Sequence, residues 1–345
     1  MIGTDRALTR YAVEAARCPS GRVPVPENMM IESKAVWLQS FGGPEVLRIE
    51  TLPPPQPQGD EVLVRVAAAS MNPVDIKTRA GKFVPIGEDK LPLVLGRDLA
   101  GTIEALGPDA PDMLRKGDPV FAFIGLDRGA QSEFVVVKAS ELAAAPRSIG
   151  MAQAAAVPLA ALTAWQGLFD QGQLQAVQRV LIQGGAGGAG HFAVQFARNA
   201  GATVLVTAHA DDLDFVRALG ADVAIDYSSE RFEDAAQDID LVLDLVGGET
   251  QDRSFDVLRE GGTLVSTIAV RHPELGEERN IRVPPRWLTE QNGQQLGEIA
   301  RMIDAGEVKV EVAATYPLAE APAAYQRLEQ GRVRGKIVLT MGEAA

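Results

Sequence analysis

The period of apolar residues changes partway along the chain. From residue 33 to about residue 146, apolar and polar positions alternate in short runs. Examples are Lys34-Ala35-Val36-Trp37-Leu38, Glu61-Val62-Leu63-Val64-Arg65-Val66, Gly101-Thr102-Ile103-Glu104-Ala105, Pro119-Val120-Phe121-Ala122 and Ser132-Glu133-Phe134-Val135-Val136-Val137. Pro- and Gly-rich turns separate them, as between Pro53 and Gly59 and at Gly117-Asp118. A period of two with turn punctuation predicts an antiparallel, barrel-like domain. From about Ser148 the spacing becomes helical, in MAQAAAVPLAALTAWQGLF, and strands then alternate with helices. A helix is predicted over 213–219 and stopped by Gly220, with strands over 223–226, 241–244 and 262–267. That alternation predicts a parallel doubly wound sheet, an α/β architecture beside the β-barrel. The last stretch predicts a helix carrying Leu296, Ile299, Met302 and Ile303, a strand over 308–312, a helix over 319–329 and a strand over 336–339. Isolated strands of this kind are expected to rejoin the first domain. The expected division is a tail over 1–30, a first domain over 31–147, a second over 148–290 and a returning segment over 291–345.

The most informative stretch is 179–209. An apolar strand, Val180-Leu181-Ile182, turns through Gly184, Gly185, Gly187, Gly188 and Gly190 into a helical pattern stopped at Gly201, and the run 203–207 completes a βαβ unit. Gly185-x-Gly187-x-x-Gly190 has dinucleotide spacing: a tight turn, close backbone approach to a pyrophosphate, and close helix-to-strand packing. Gly185, Ala186, Gly187, Gly188, Ala189 and Gly190 are therefore candidate cofactor contacts.

Composition narrows the classes. The formal net charge of −13 disfavours nucleic acid as a partner and requires any phosphate site to be made locally. No apolar run is long enough for a membrane span. A single cysteine, Cys18, excludes internal disulfides and a Cys-rich zinc lobe, and fits a reducing, cytoplasmic setting. Residues 1–30 lack the apolar segment of a secretory signal and read as a loosely held tail, or as sequence upstream of a start at Met29 or Met30.

Asn72-Pro73-Val74-Asp75-Ile76-Lys77-x-Arg79-x-Gly81, Gly96-Arg97-Asp98-Leu99-Ala100-Gly101, Gly117-Asp118-x-Val120, Leu162-Thr163-Ala164-Trp165, the glycine loop and Gly335-Lys336-Ile337-Val338-Leu339 occur in an order that resembles the medium-chain dehydrogenase/reductase superfamily. In detail the chain is similar to its zinc-free quinone oxidoreductase and alkenal (enone) reductase branches. The resemblance implies a GroES-like domain completed by the C-terminus, a Rossmann domain, an active site between them, and a homodimer.

Catalytic zinc requires Cys, His or similar ligands. By resemblance, the zinc-binding relatives' Cys position corresponds to Asn72 and their His-Glu pair to Arg97-Asp98. The three histidines, His191, His209 and His272, are scattered, so no catalytic zinc is expected; Arg97 and Asp98 are expected to pair with each other at the old metal position. Hydride transfer then rests on geometry and on donors near the substrate oxygen. Asn72, Lys77 and Thr163 are the candidates, by position in the resemblance. Each has a plainer alternative: a turn-forming Asn before Pro, a solvated Lys, and a Thr bonded back to its own helix. Asp75 reads as an organiser of this loop rather than an acid or base. Neighbouring enoyl reductases carry a proton-donating Tyr shortly after this motif; here Phe83 cannot donate, which favours small enones or quinones over fatty-acyl thioesters.

At the tip of the second βαβ strand an NAD site wants a carboxylate. This tip, Thr207-Ala208-His209, has none, although Asp211-Asp212 follow. The resemblance implies NADP(H) ahead of NAD(H), with Tyr227 near the adenosine; His209 is a cofactor candidate at a turn where the relatives carry Ser and Lys or Arg. Val246, Thr267, Ile268 and Lys336 are further cofactor candidates, the first three at strand carboxyl ends. The leading reading is an NADPH-dependent, zinc-independent reductase of quinones or α,β-unsaturated carbonyls. An alcohol/carbonyl dehydrogenase and a non-catalytic NADPH-binding or sensing protein are the alternatives.

Overall fold

A computed structural model describes residues 32–342; the expected tail over 1–30, including Cys18, lies outside the described residues. The alternating half supplies β1 (Ser33–Leu38), β2 (Leu47–Leu52), β3 (Glu61–Ser70), β4 (Leu93–Val94), β5 (Asp98–Leu106), β6 (Pro119–Phe123), β7 (Phe134–Lys138) and β8 (Leu142–Ala144). The second half supplies β9 (Arg179–Gln183), β10 (Thr203–Ala208), β11 (Val223–Asp226), β12 (Ile239–Asp244) and β13 (Leu258–Ser266), followed by β14 (Val312–Pro317) and β15 (Lys336–Thr340).

These form three sheets: β2-β1-β4, a five-stranded sheet in the order β11-β10-β9-β12-β13, and a seven-stranded sheet running β14-β15-β3-β5-β6-β8 with β7 on β3. Every pairing in the five-stranded sheet is parallel. Its order reverses between β9 and β12, the switch point outside which open α/β sheets bind ligands. β15 lies antiparallel to β3, with Val338 opposite Ser70, so the end of the chain closes the sheet of the first half. The fold is thus GroES-like β-barrel plus Rossmann α/β sheet.

The alternation has its expected cause. Val62, Val64 and Val66 of β3, with Leu99 and Ile103 of β5 and Val135 and Val137 of β7, point inward and form one buried cluster. In the Rossmann half, Val180 and Ile182 face the helix Gly190–Asn199 through Phe192 and Phe196, while Leu181 faces the opposite layer with Leu205 and Val242. Two details differ from the sequence reading. The helical run after Ser148 breaks into Met151–Ala155 and Pro158–Trp165, because Pro158 removes an N–H donor and starts a new helix. The strand expected over 308–312 begins only at Val312: Val308 and Val310 instead bury against the Rossmann core, and pairing with β15 starts at Val312.

Candidate functional site

The carboxyl ends of β9, β10 and β12 open onto a cavity of about 840 Å³. Its floor includes Gly184, Ala186 and Gly187, its outer end His209 and Tyr227, and its inner end Val246. The glycines divide by role. A Cβ on Gly185 would lie 2.0 Å from Val206 Cγ1, and one on Gly190 would lie 2.2 Å from the Gly184 carbonyl oxygen, so both serve strand-to-helix packing. A Cβ on Gly187 would meet only the Gly184 oxygen at 3.5 Å; this glycine leaves backbone open to the cavity. Ala189 leads into the helix Gly190–Asn199. Thr207 holds the turn, accepting from Gly184 N at 3.1 Å and donating to Gln183 Oε1 at 2.7 Å. The open backbone, the helix start and the exposed Tyr227 ring, centred 6.0 Å from the His209 ring, suit pyrophosphate and adenosine.

Three arginines from the far end of the chain, Arg327, Arg332 and Arg334, line the same cavity and were missed in the sequence. Arg334 Nε donates to Asp212 Oδ1 at 2.6 Å and its Nη2 to the Asp211 carbonyl at 2.8 Å. The two carboxylates that follow the strand tip are therefore not both free to repel a phosphate. Arg332 has no carboxylate partner among the described residues. Only the GxVxG spacing before Lys336 hinted at this arm.

At the inner end, buried Asp244 fixes both neighbouring loops. Oδ1 accepts from Val246 N at 3.0 Å and Gly247 N at 2.8 Å; Oδ2 accepts from Ser266 Oγ at 2.8 Å and Gln251 Nε2 at 2.9 Å. Ser266 Oγ in turn accepts from Ile268 N at 3.1 Å, and Thr267 N bonds the Asp244 carbonyl. Val246 and Ile268 stay exposed. Ile268 opens onto a second cavity of about 410 Å³ with Val270, Ile281 and Arg286 in its wall.

Opposite the glycine loop, the helix Pro73–Arg79 begins at Asn72, whose backbone N–H is held by Asp75 Oδ2 at 2.8 Å, so Asp75 organises this loop. The Asn72 side chain is 4% exposed. Its Nδ2 donates to Asp98 Oδ2 at 2.8 Å, and its Oδ1 accepts from Lys336 Nζ at 2.5 Å. Lys336 also donates to the Met71 carbonyl at 2.7 Å and stands 3.8 Å from Asp98 Oδ2. Asp98 is completed by Ser70 Oγ at 2.6 Å and Leu159 N at 2.7 Å. Burial pushes the Asp98 carboxyl up and the Lys336 ammonium down, each opposed by the other's charge.

The expected pairing of Arg97 with Asp98 is not found. Arg97 donates instead to the Gly125 and Arg128 carbonyls, at 2.8 and 3.1 Å. Asp98 starts a strand, where adjacent side chains point to opposite faces. Thr163 Oγ1 bonds the Leu159 carbonyl of its own helix at 2.6 Å and Thr289 Oγ1 at 2.8 Å. Lys77 is exposed and outside the Asn72 network.

The donor set around Asn72 does not fit zinc. A neutral amide sits between an ammonium and a carboxylate, so a divalent ion would have to displace Lys336. Among the described residues, no group of three His, Cys, Asp or Glu side chains converges on a metal position.

Known proteins match most of the chain. Residues 58–147 match the alcohol dehydrogenase GroES-like domain, and residues 219–339 match a zinc-binding dehydrogenase family model. The chain is 36% identical to the chloroplastic NADPH-dependent alkenal/one oxidoreductase of Arabidopsis thaliana, over 89% of this chain and 79% of that protein. It is 34% identical to the 2-methylene-furan-3-one reductase of Solanum lycopersicum, over 94% of this chain and 82% of that one. The solved quinone oxidoreductase of Coxiella burnetii superposes with a TM-score of 0.84 at 35% identity, covering 90% of this chain and 99% of its own.

Proposed function

The chain belongs to the medium-chain dehydrogenase/reductase superfamily, and on that premise we propose that it is an NADPH-dependent, zinc-independent reductase of quinones or α,β-unsaturated carbonyls. The observation that carries the reading is Asn72 held between Lys336 and Asp98, a hydrogen-bond donor assembly where a zinc enzyme would need metal ligands. The alkenal/one and furanone reductases and the quinone oxidoreductase among its relatives support the substrate class.

NADPH, when bound, supplies the hydride. The glycine loop and the helix Gly190–Asn199 would hold the pyrophosphate, His209 and Tyr227 would flank the adenosine, and Val246, Thr267 and Ile268, at the strand carboxyl ends, would border the nicotinamide. Arg332, with Arg334 neutralising Asp212, favours the 2′-phosphate of NADPH over the bare ribose of NADH. Of the three catalytic candidates, Asn72 is the one that the buried network organises; we assign it the substrate oxyanion. Thr163 fixes the helix beside it through Thr289, and Lys77 is an exposed side chain outside this network.

No described helix is long and apolar enough to cross a membrane. A cytoplasmic homodimer completes the proposal, tested by fractionation and light scattering. The central test is NADPH oxidation with a panel of quinones and enones, alongside metal analysis of the active protein. Turnover with sub-stoichiometric zinc is expected; no turnover on any member overturns the reading.

A further inference from the structure

Building on the reductase reading above, we propose that Lys336 is a positioning residue that makes Asn72 a polarised donor for the oxyanion formed on hydride addition. An Asn side chain has two Nδ2 hydrogens and one carbonyl oxygen. In this site the oxygen takes the Lys336 ammonium at 2.5 Å, and one hydrogen goes to Asp98 Oδ2 at 2.8 Å. The second hydrogen has no acceptor among the described residues. Turning the amide over would set its NH₂ against an ammonium and its oxygen against a carboxylate, so the network permits one orientation.

The network also acts through charge. A cation on the carbonyl oxygen draws electron density from the amide nitrogen and strengthens the remaining N–H as a donor, an effect that burial enlarges. Asp98 is itself anchored by Ser70 Oγ and by Leu159 N, so the amide is fixed before any substrate arrives. Lys336 and Asp98 balance each other, which keeps the cluster neutral where a bare cation would be costly.

The same lysine ties this donor to the cofactor loop. Its Cδ lies 2.9 Å from where a Cβ on Gly188 would stand, so its stem passes directly beneath the glycine turn. The preceding Gly335 donates its N–H to the Ala186 carbonyl at 2.9 Å. The loop that would carry the cofactor and the donor that would meet the substrate are therefore two ends of one side chain. Hydride addition to the β-carbon of an enone shifts the C=C pair into a double bond between Cα and the carbonyl carbon and the C=O pair onto oxygen. The enolate then takes a proton from water at Cα. The second Nδ2–H of Asn72 meets the negative oxygen, and Lys336 keeps it aimed there.

The test compares Lys336→Met with the charge-balanced double variant Lys336→Met/Asp98→Asn, which folds even if the single variant, left with an unpaired buried carboxylate, does not. Met keeps the stem beneath Gly188, so NADPH dissociation constants, read by Trp fluorescence, are expected within about twofold of wild type, while kcat falls about 10–100-fold, less than the roughly 100–1,000-fold of removing an oxyanion donor outright, because Asn72 itself remains. A readout free of cofactor and turnover is the binding of 4-nitrophenolate, an enolate stand-in, beside its neutral isostere 4-nitrotoluene. The double variant is expected to weaken the phenolate at least tenfold and leave the neutral compound unchanged; equal weakening of both marks a loosened pocket and overturns the proposal. Asn72→Ala/Lys336→Met/Asp98→Asn is expected to be no slower than Asn72→Ala alone. Additive losses, a folded double variant with wild-type kcat, or no phenolate binding by the wild type each overturn it. Absent wild-type turnover overturns the reductase reading instead, and is told apart because the phenolate measurements need no turnover.

Discussion

The guanidinium of Arg334 donates to the carboxylate of Asp212 at 2.6 Å across 122 residues of sequence, and so removes one negative charge from the outer end of the cofactor cavity. Arg334→Ala restores that charge. The pair is partly exposed, so the expected effect is modest: a 3–10-fold rise in KM for NADPH, consistent with about 1 kcal/mol, with KM for NADH nearly unchanged. Arg332→Ala is expected to act in the same direction. Steady-state kinetics with both cofactors measure the ratio, and an equal loss for NADH and NADPH contradicts the assignment.

Glycine substitutions separate folding from binding. Gly190→Ala drives a Cβ to 2.2 Å from a carbonyl oxygen and 2.7 Å from Gly185 Cα, so a loss of about 1–3 kcal/mol or more in stability is expected. Gly187→Ala meets nothing closer than 3.5 Å and should keep its melting temperature while weakening NADPH at least tenfold, because the methyl group enters the cavity. Thermal melts with and without NADPH distinguish the two.

Two buried groups respond to acid with opposite sign. Burial raises the Asp75 carboxyl to about 6 from its ordinary 3.8, so the folded state holds a proton that the unfolded chain has released, and stability falls as pH rises through that window. Burial lowers His191 to about 4 from 6.5, so there the unfolded chain holds the extra proton and stability rises over nearly the same window. Each is worth about 3 kcal/mol across its range, and in the wild type they largely cancel. Asp75→Asn is expected to expose the His191 slope, gaining stability from pH 4 to 6.5, and His191→Gln the reverse. Urea titrations at several pH values check the signs.

Asp244 anchors the two loops at the inner end of the cofactor cavity. Asp244→Ala strands the Val246 and Gly247 N–H groups with Ser266 and Gln251, and is expected to cost about 3 kcal/mol in stability. NADPH should weaken more than tenfold, because the loops bearing Val246 and Ile268 lose their shared anchor. Asp244→Asn keeps part of the acceptor and should be milder. Fluorescence titration and chemical denaturation test both effects.

What the sequence revealed followed the range of its signals. The glycine loop was legible because strand, turn and helix lie within thirty residues, where local sterics dictate spacing. The period-two runs of β3 and β7 announced their inward valines for the same reason. The Asn72–Lys336 contact joins residues 264 apart, and nothing local in either segment signals it. Arg97 and Asp98 misled through adjacency, since neighbours at a strand start diverge rather than pair. Thr163 carried two readings, and the plainer one, a bond back to its own helix, is found together with a second bond to Thr289, far along the chain.

β15 sits between β14 and β3 and carries Lys336 at its first position. During synthesis, the Ala68–Ser70 edge of β3 therefore waits unpaired until β15, far along the chain, has left the ribosome. Neither the Asn72 donor nor the glycine turn acquires its shared support before then. A chain cut before β15 therefore lacks both the strand that pairs with β3 and the lysine that holds Asn72.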